Sequence, residues 1–293
     1  MNTAASGAAT VSNPDAFAFV QALAQELSSG KVDLPSFPDI ALRVRKVLAD
    51  ENVTPDMVVR VVGSEPALAT RLLQIANSAA LNPSGKSITD LRNAVARLGF
   101  NMVRSAAIAF AMSQLKKVDA LKGLEKPLDE LWHRSAAVAA LAHAVAHRFT
   151  RVNADMALLA GLLHGVGQLY ILTRASKHPR LVADRVAYQS IVDDWHAAIA
   201  KAVLENWDLP EEIVVAVSEY QDTERQHTGA ADLTDVLTTA HLIQSFQNHP
   251  ETLELNLQDV VACKRLKLDR AAYDKLIVES EHEILALQQA LGV

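Results

Sequence analysis

The sequence predicts an all-α protein, a two-lobed helical bundle, on three observations. Apolar residues recur at three- and four-residue spacing along most of the chain, the pattern of helices with one buried face. Helix-start signals punctuate it at Asn13-Pro14-Asp15, Thr54-Pro55-Asp56 and Ser64-Glu65-Pro66, where a cap or a proline precedes the run. No stretch alternates apolar and polar residues as a half-buried strand does. With 293 residues, 50% of them hydrophobic, the chain can bury one large domain or two lobes.

The elements follow in order. Residues 1–12 are small and polar and predict a flexible N-terminus. Asn13 caps a helix with Phe17, Val20, Ala24 and Leu27 on its stripe, ending near Gly30. Leu34-Pro35-Ser36-Phe37-Pro38 is a stiff connector. Ile40, Val44, Val47 and Leu48 mark the next helix, and Thr54 opens a short one that Gly63 ends. Pro66 opens another through Leu68, Leu72, Leu73 and Ile75 to Asn77. After a loop with Pro83 and Gly85, Thr89-Asp90 opens a helix that Gly99 closes, and Asn101 starts its successor with Val103, Ala107 and Ile108. Pro127 begins a second group, led by a long helix whose alanines, Ala136 to Ala146, allow close helix approach. Asn153 caps a central apolar helix that carries His164, with Gly161, Gly165 and Gly167 inside it. Further helices are expected near 192–206, 210–221 and 231–247. The predicted organisation is one domain over 13–248, with lobes at 13–120 and 125–248, and a C-terminal helical extension at 249–293.

In that extension Tyr273, Ile277, Ile284, Leu287 and Leu291 form a short heptad stripe, with Ser280 in the vacant seam position. Fewer than three heptads pair weakly between chains, so docking on its own domain is expected. The alternative is a homodimer through this helix.

Composition narrows the functional classes. The net charge is −6, which argues against nucleic acid as a partner, and Lys264, Arg265 and Lys267 are too few for a nucleic-acid footprint. One cysteine, Cys263, forms no internal disulfide and fits a reducing, cytoplasmic setting. The first residues lack a signal peptide's charged and apolar segments, and no window has about 18 uninterrupted apolar residues, so no membrane span is expected.

Several runs together resemble a known family. Leu34-Pro35 with Pro38 is similar to its opening. Glu65-Pro66-Ala67-Leu68-Ala69 through Leu73 and Ala76-Asn77-Ser78, then Ile88 with Ala94-Val95-Ala96-Arg97-Leu98-Gly99, follow in the right order over more than 60 residues. Leu158 to Leu169 resembles the G-L-L-H-D-I-G-K segment of the HD superfamily of metal-dependent phosphohydrolases. The whole pattern, over about residues 30–222, is similar to the HDOD branch, the HD-related output domains of bacterial signalling proteins. The resemblance implies an HD-hydrolase-like second lobe and a role in signalling, alongside cyclic-di-nucleotide or two-component circuits.

It also shows what this chain departs from. HD enzymes hold one or two metal ions with histidines and aspartates, and the ions activate water and polarise phosphate oxygens. In the run Trp132-His133-Arg134-Ser135, Arg134 takes the place of the first family histidine. His133 sits one residue early, about 100° around the helix. The His-Asp pair is His164-Gly165, and glycine cannot be a side-chain ligand. Gln168 replaces the lysine that follows the pair. His196, in Asp194-Trp195-His196-Ala197-Ala198, matches a family histidine. The paired histidines expected near Tyr220-Gln221 are missing, and the closing aspartate aligns with His241.

The vestigial positions are therefore Arg134, His164, Gly165, His196 and His241, with no catalytic residue, metal ligand set or cofactor assigned. His143 and His147 have metal-ligand spacing, but no third ligand can be named, so a polar helix edge is the expectation. The sequence predicts a non-catalytic output or adaptor protein that binds a protein partner or a ligand. The alternatives are a nucleotide-binding or residual phosphohydrolase using Arg134 and His164, and a DNA-binding regulator disfavoured by the acidity.

Overall fold

The computed structural model describes residues 14–30, 32, 39–78, 81–82, 85–115 and 121–291. The expectations for residues 1–12, Asn13, the Leu34–Pro38 connector and Pro83 lie outside them. The described residues form helices and connecting turns, with no strand.

The first lobe comprises α2 (Asp39–Leu48), α3 (Pro55–Gly63), α4 (Pro66–Ala76) and α5 (Leu91–Leu115). Its ends are where the local chemistry puts them. The Thr54 hydroxyl accepts from Met57 N, and Pro55 occupies the first turn of α3. At Gly99 the backbone of α5 leaves the helical region, with φ 72° and ψ 168°, so α5 is two helices meeting at a residue that needs no Cβ. Asn77 pins α4 to the following loop by donating to Leu73 O and Ile88 O and accepting from Ile88 N.

The second lobe contains α6 (Glu125–Phe149), α7 (Ala154–Leu163), α8 (Val166–Ala175), α9 (Pro179–Ala183), α10 (Arg185–Asn206), α11 (Glu211–Glu219) and α12 (Leu233–Phe246). The alanine-rich α6 is the central post, packed against α7, α12 and the C-terminal helix. Residues Ala154–Ala175 are apolar enough to cross a membrane by composition, yet 89% of their most apolar 18-residue window is buried within the fold.

Helix α1 (Pro14–Ser28) departs from the expected grouping. It packs on α9 and α10 of the second lobe, and its Glu26 meets Tyr170 and Arg174. Its buried face is also rotated: Ala16, Phe19 and Leu23 are inside, while Phe17 is 57% exposed. In an alanine-rich helix two adjacent stripes satisfy the same spacing, and only the packing partner selects one. Leu73 is likewise half-buried, with Leu72 taking the core position.

Helices α13 (Pro250–Asp259) and α14 (Val261–Leu266) lie against α12, and α15 (Arg270–Leu291) lies along α6 and reaches α4 and α5. Ser280, Leu287 and Leu291 are fully buried there, Tyr273, Ile277 and Ile284 pack at the edge of the core, and Arg148 grips Glu279. The heptad stripe is thus spent within the chain, joining the two lobes.

Candidate functional site

The site grows from the α7–α8 junction. The Asn153 side chain starts α7 by accepting from the N–H groups of Asp155 and Met156. The helix stops at Leu163, turns through His164 and Gly165, and resumes at Val166. Gly165 is therefore at a break and not inside a continuous helix, a correction to the expectation. Its φ of −88° is open to any residue, so space and not conformation selects glycine. A Cβ at Gly165 would lie 2.9 Å from Leu131 Cδ1 and 3.1 Å from Ser135 Oγ. The flanking glycines are tighter. A Cβ at Gly161 would lie 2.4 Å from Ala139 Cα, and one at Gly167 would lie 2.0 Å from the His196 carbonyl oxygen. These contacts set α7 against α6 and α8 against α10 at backbone distance.

The close packing gathers three of the sequence-assigned histidines. His164, His196 and His241 surround Tyr220, whose ring centroid lies 5.5, 6.4 and 4.9 Å from theirs respectively. His164 and His241 are 5.8 Å apart. His164 Nδ1 donates to Gly161 O at 2.6 Å, and His196 Nδ1 donates to Val192 O at 2.8 Å. Each backbone bond fixes the tautomer and leaves Nε2 as a lone pair in the interior. His196 Nε2, His241 Nδ1 and Ser135 Oγ are buried without a hydrogen-bond partner. Tyr220 was legible only as the place where paired histidines are missing, and nothing local marks it as the centre of the cluster.

Electrostatics follow from burial. His164 is pushed down to about 3, first by desolvation and then by the neighbouring His241. His241 falls to about 4, by desolvation and by the Arg134 guanidinium. Burial raises the Tyr220 phenol to about 12. The charged groups that act on His164 and His241 are Arg134 and other histidines, with no carboxylate among them. Arg134 donates to Gln168 Oε1 at 2.9 Å, so two departures from the family pattern bond to each other. His133 is exposed and bonds to Asp129 O at 2.8 Å, away from the cluster.

The residues present do not fit a dinuclear metal centre. The imidazoles are accompanied by a guanidinium and no carboxylate, whereas a dinuclear site needs anionic ligands to offset the charge of two dications. Among the described residues one set of three ligand-type side chains does close up: His227, Asp232 and Asp235, with ligand atoms within 4.8 Å. Their lone pairs are already engaged. Asp232 and Asp235 form the capping box of α12, Arg225 donates twice to Asp232, and His227 bonds to Asp235 at 2.8 Å. That cluster anchors a loop. His143 and His147 lie 6.2 Å apart by ring centroid, with His143 beside Asp155 on α7.

Fold and site together define an all-helical domain with a buried histidine cluster around Tyr220. Residues 34–223 match the model of the HDOD domain, and the chain belongs to that family. The structure is similar to that of a Shewanella amazonensis protein provisionally assigned as a metal-dependent phosphohydrolase, with a TM-score of 0.76, 24% identity and coverage of 94% of this chain and 99% of that one. It is also similar to a Marinobacter aquaeolei protein provisionally assigned to signal transduction, with a TM-score of 0.58, 19% identity and coverage of 97% and 68%. At these identities the likeness establishes the fold. An uncharacterised Treponema pallidum protein is 23% identical over 209 residues, and the match spans 66% of this chain but 38% of that protein. The family match ends before α12, so His241 lies beyond it.

Proposed function

We propose that this chain is a non-catalytic signal-transduction output or adaptor domain that works by binding a protein partner or a ligand. One observation carries the reading: the buried histidine cluster faces Arg134 and contains no acid, and the space beside Gly165 is filled by Leu131 and Ser135. The guanidinium repels a dication there, and no carboxylate offsets that repulsion or the desolvation the ion would suffer. The family supports a bacterial cytoplasmic setting next to cyclic-di-nucleotide or two-component circuits.

The experiment is elemental analysis of protein purified without chelator, together with a phosphodiesterase assay in added manganese. The expected result is no stoichiometric transition metal and no turnover. Near-unit metal occupancy, with turnover lost in His164→Ala, overturns the reading and leaves the residual phosphohydrolase in its place.

A further inference from the structure

We propose that the cleft lined by Arg134, Gln168 and Arg185 binds a small organic phosphate monoester between the two arginines, a ligand class for the binding function inferred above. The cleft has a volume of about 410 Å³ and lies between α6, α8 and α10. That is the size of small-molecule sites in general. Arg134 reaches it from α6, Gln168 from α8 and Arg185 from the first turn of α10.

The donor count points to an anion. Neither Arg134 nor Arg185 has a carboxylate partner among the described residues, and both line this one cleft. Arg134 is half-buried, and one of its N–H groups is taken by Gln168. A guanidinium withdrawn from water without a counter-ion costs free energy that an incoming anion recovers. Glu130, the acid in the cleft wall, has Lys126 within 3.8 Å. The cleft therefore carries excess positive charge in a chain whose net charge is −6.

Shape selects phosphate over carboxylate. Guanidinium forks arriving from two helices suit a tetrahedral anion with several free oxygens, while one fork saturates a carboxylate. The remaining wall, with Leu172 and Val192, is apolar and suits a carbon body on the ester.

Calorimetry on the full chain tests this with three probes: inorganic phosphate, phenyl phosphate and benzoate. Phenyl phosphate is expected to bind most tightly and benzoate most weakly. Arg185→Ala, at an exposed position that should not disturb folding, is expected to weaken phenyl phosphate binding about tenfold, and Arg134→Gln at least as much. Arg43→Ala, whose partner is Asp39 on α2, should change nothing. The proposal is overturned if wild-type protein binds no phenyl phosphate at millimolar concentration, if benzoate binds as tightly, or if Arg185→Ala binds like wild type. Phenol release, followed by absorbance, would overturn the non-catalytic reading beneath it. Failure of binding without phenol release strikes the ligand assignment alone.

Discussion

Replacing Gly161 by alanine tests the packing that creates the site. A Cβ there lies 2.4 Å from Ala139 Cα and 2.7 Å from Ala139 N, against about 3.4 Å or more in ordinary contact. Both opposing atoms are backbone, so no side-chain rotation relieves the overlap and α7 must move off α6. Overpacking costs about 1–3 kcal/mol, and a rigid helix-to-helix overlap belongs at the top of that range. Alanine returns about 1 kcal/mol of helix propensity. The net expectation is a loss of about 2 kcal/mol or more. Gly63 provides the internal control. A Cβ there meets Leu91 Cδ2 at 3.7 Å, ordinary contact, so Gly63→Ala is expected to be neutral or stabilised by up to about 1 kcal/mol. Urea denaturation followed by circular dichroism reads both. Equal midpoints for the two variants would mean that α6 and α7 do not cross at backbone distance, and the account of how the histidines are gathered would fail with it.

Three further outcomes are expected. Gly165→Asp should melt below wild type and gain nothing from manganese, because a carboxylate would enter the space held by Leu131 and Ser135; a variant as stable as wild type, or one rescued by manganese, would reveal an open ligand-ready cavity. Leu163→Ala, at a position 1% exposed, should cost about 2–5 kcal/mol, and Leu73→Ala, half-buried, clearly less; the reverse order of denaturant midpoints would contradict the core assignment. His164 and His241 are held below their unfolded value of 6.5, at about 3 and about 4, so the unfolded chain takes up protons first as pH falls. Their contribution to stability is fully present above pH 6.5 and is lost as the pH drops from there through about 4 and about 3. His164→Gln should flatten that slope in urea midpoints, and an unchanged slope would show that His164 is not buried neutral.

Much of this protein is local, and the sequence alone determined it. The Asn153 and Thr54 caps, the break at Gly99 and the helical spacing through α2, α4 and α12 follow from hydrogen bonds and torsions within a few residues. The order of the family motifs, with Arg134, His164, Gly165 and His196 inside the matched span, is equally a property of residue order. Tertiary structure decided the rest, because those features depend on which surfaces meet. It chose the Phe19 and Leu23 face of α1 over the Phe17 face and joined α1 to the second lobe. It ended α7 at Leu163, which apolar composition cannot reveal when both sides of a break are buried. It seated Tyr220 among three histidines and brought Arg134 to Gln168, 34 positions away in the chain. Gly161 and Gly167 read in the sequence only as glycines inside an apolar helix, and the opposing backbones of Ala139 and His196 give the physical reason they are there.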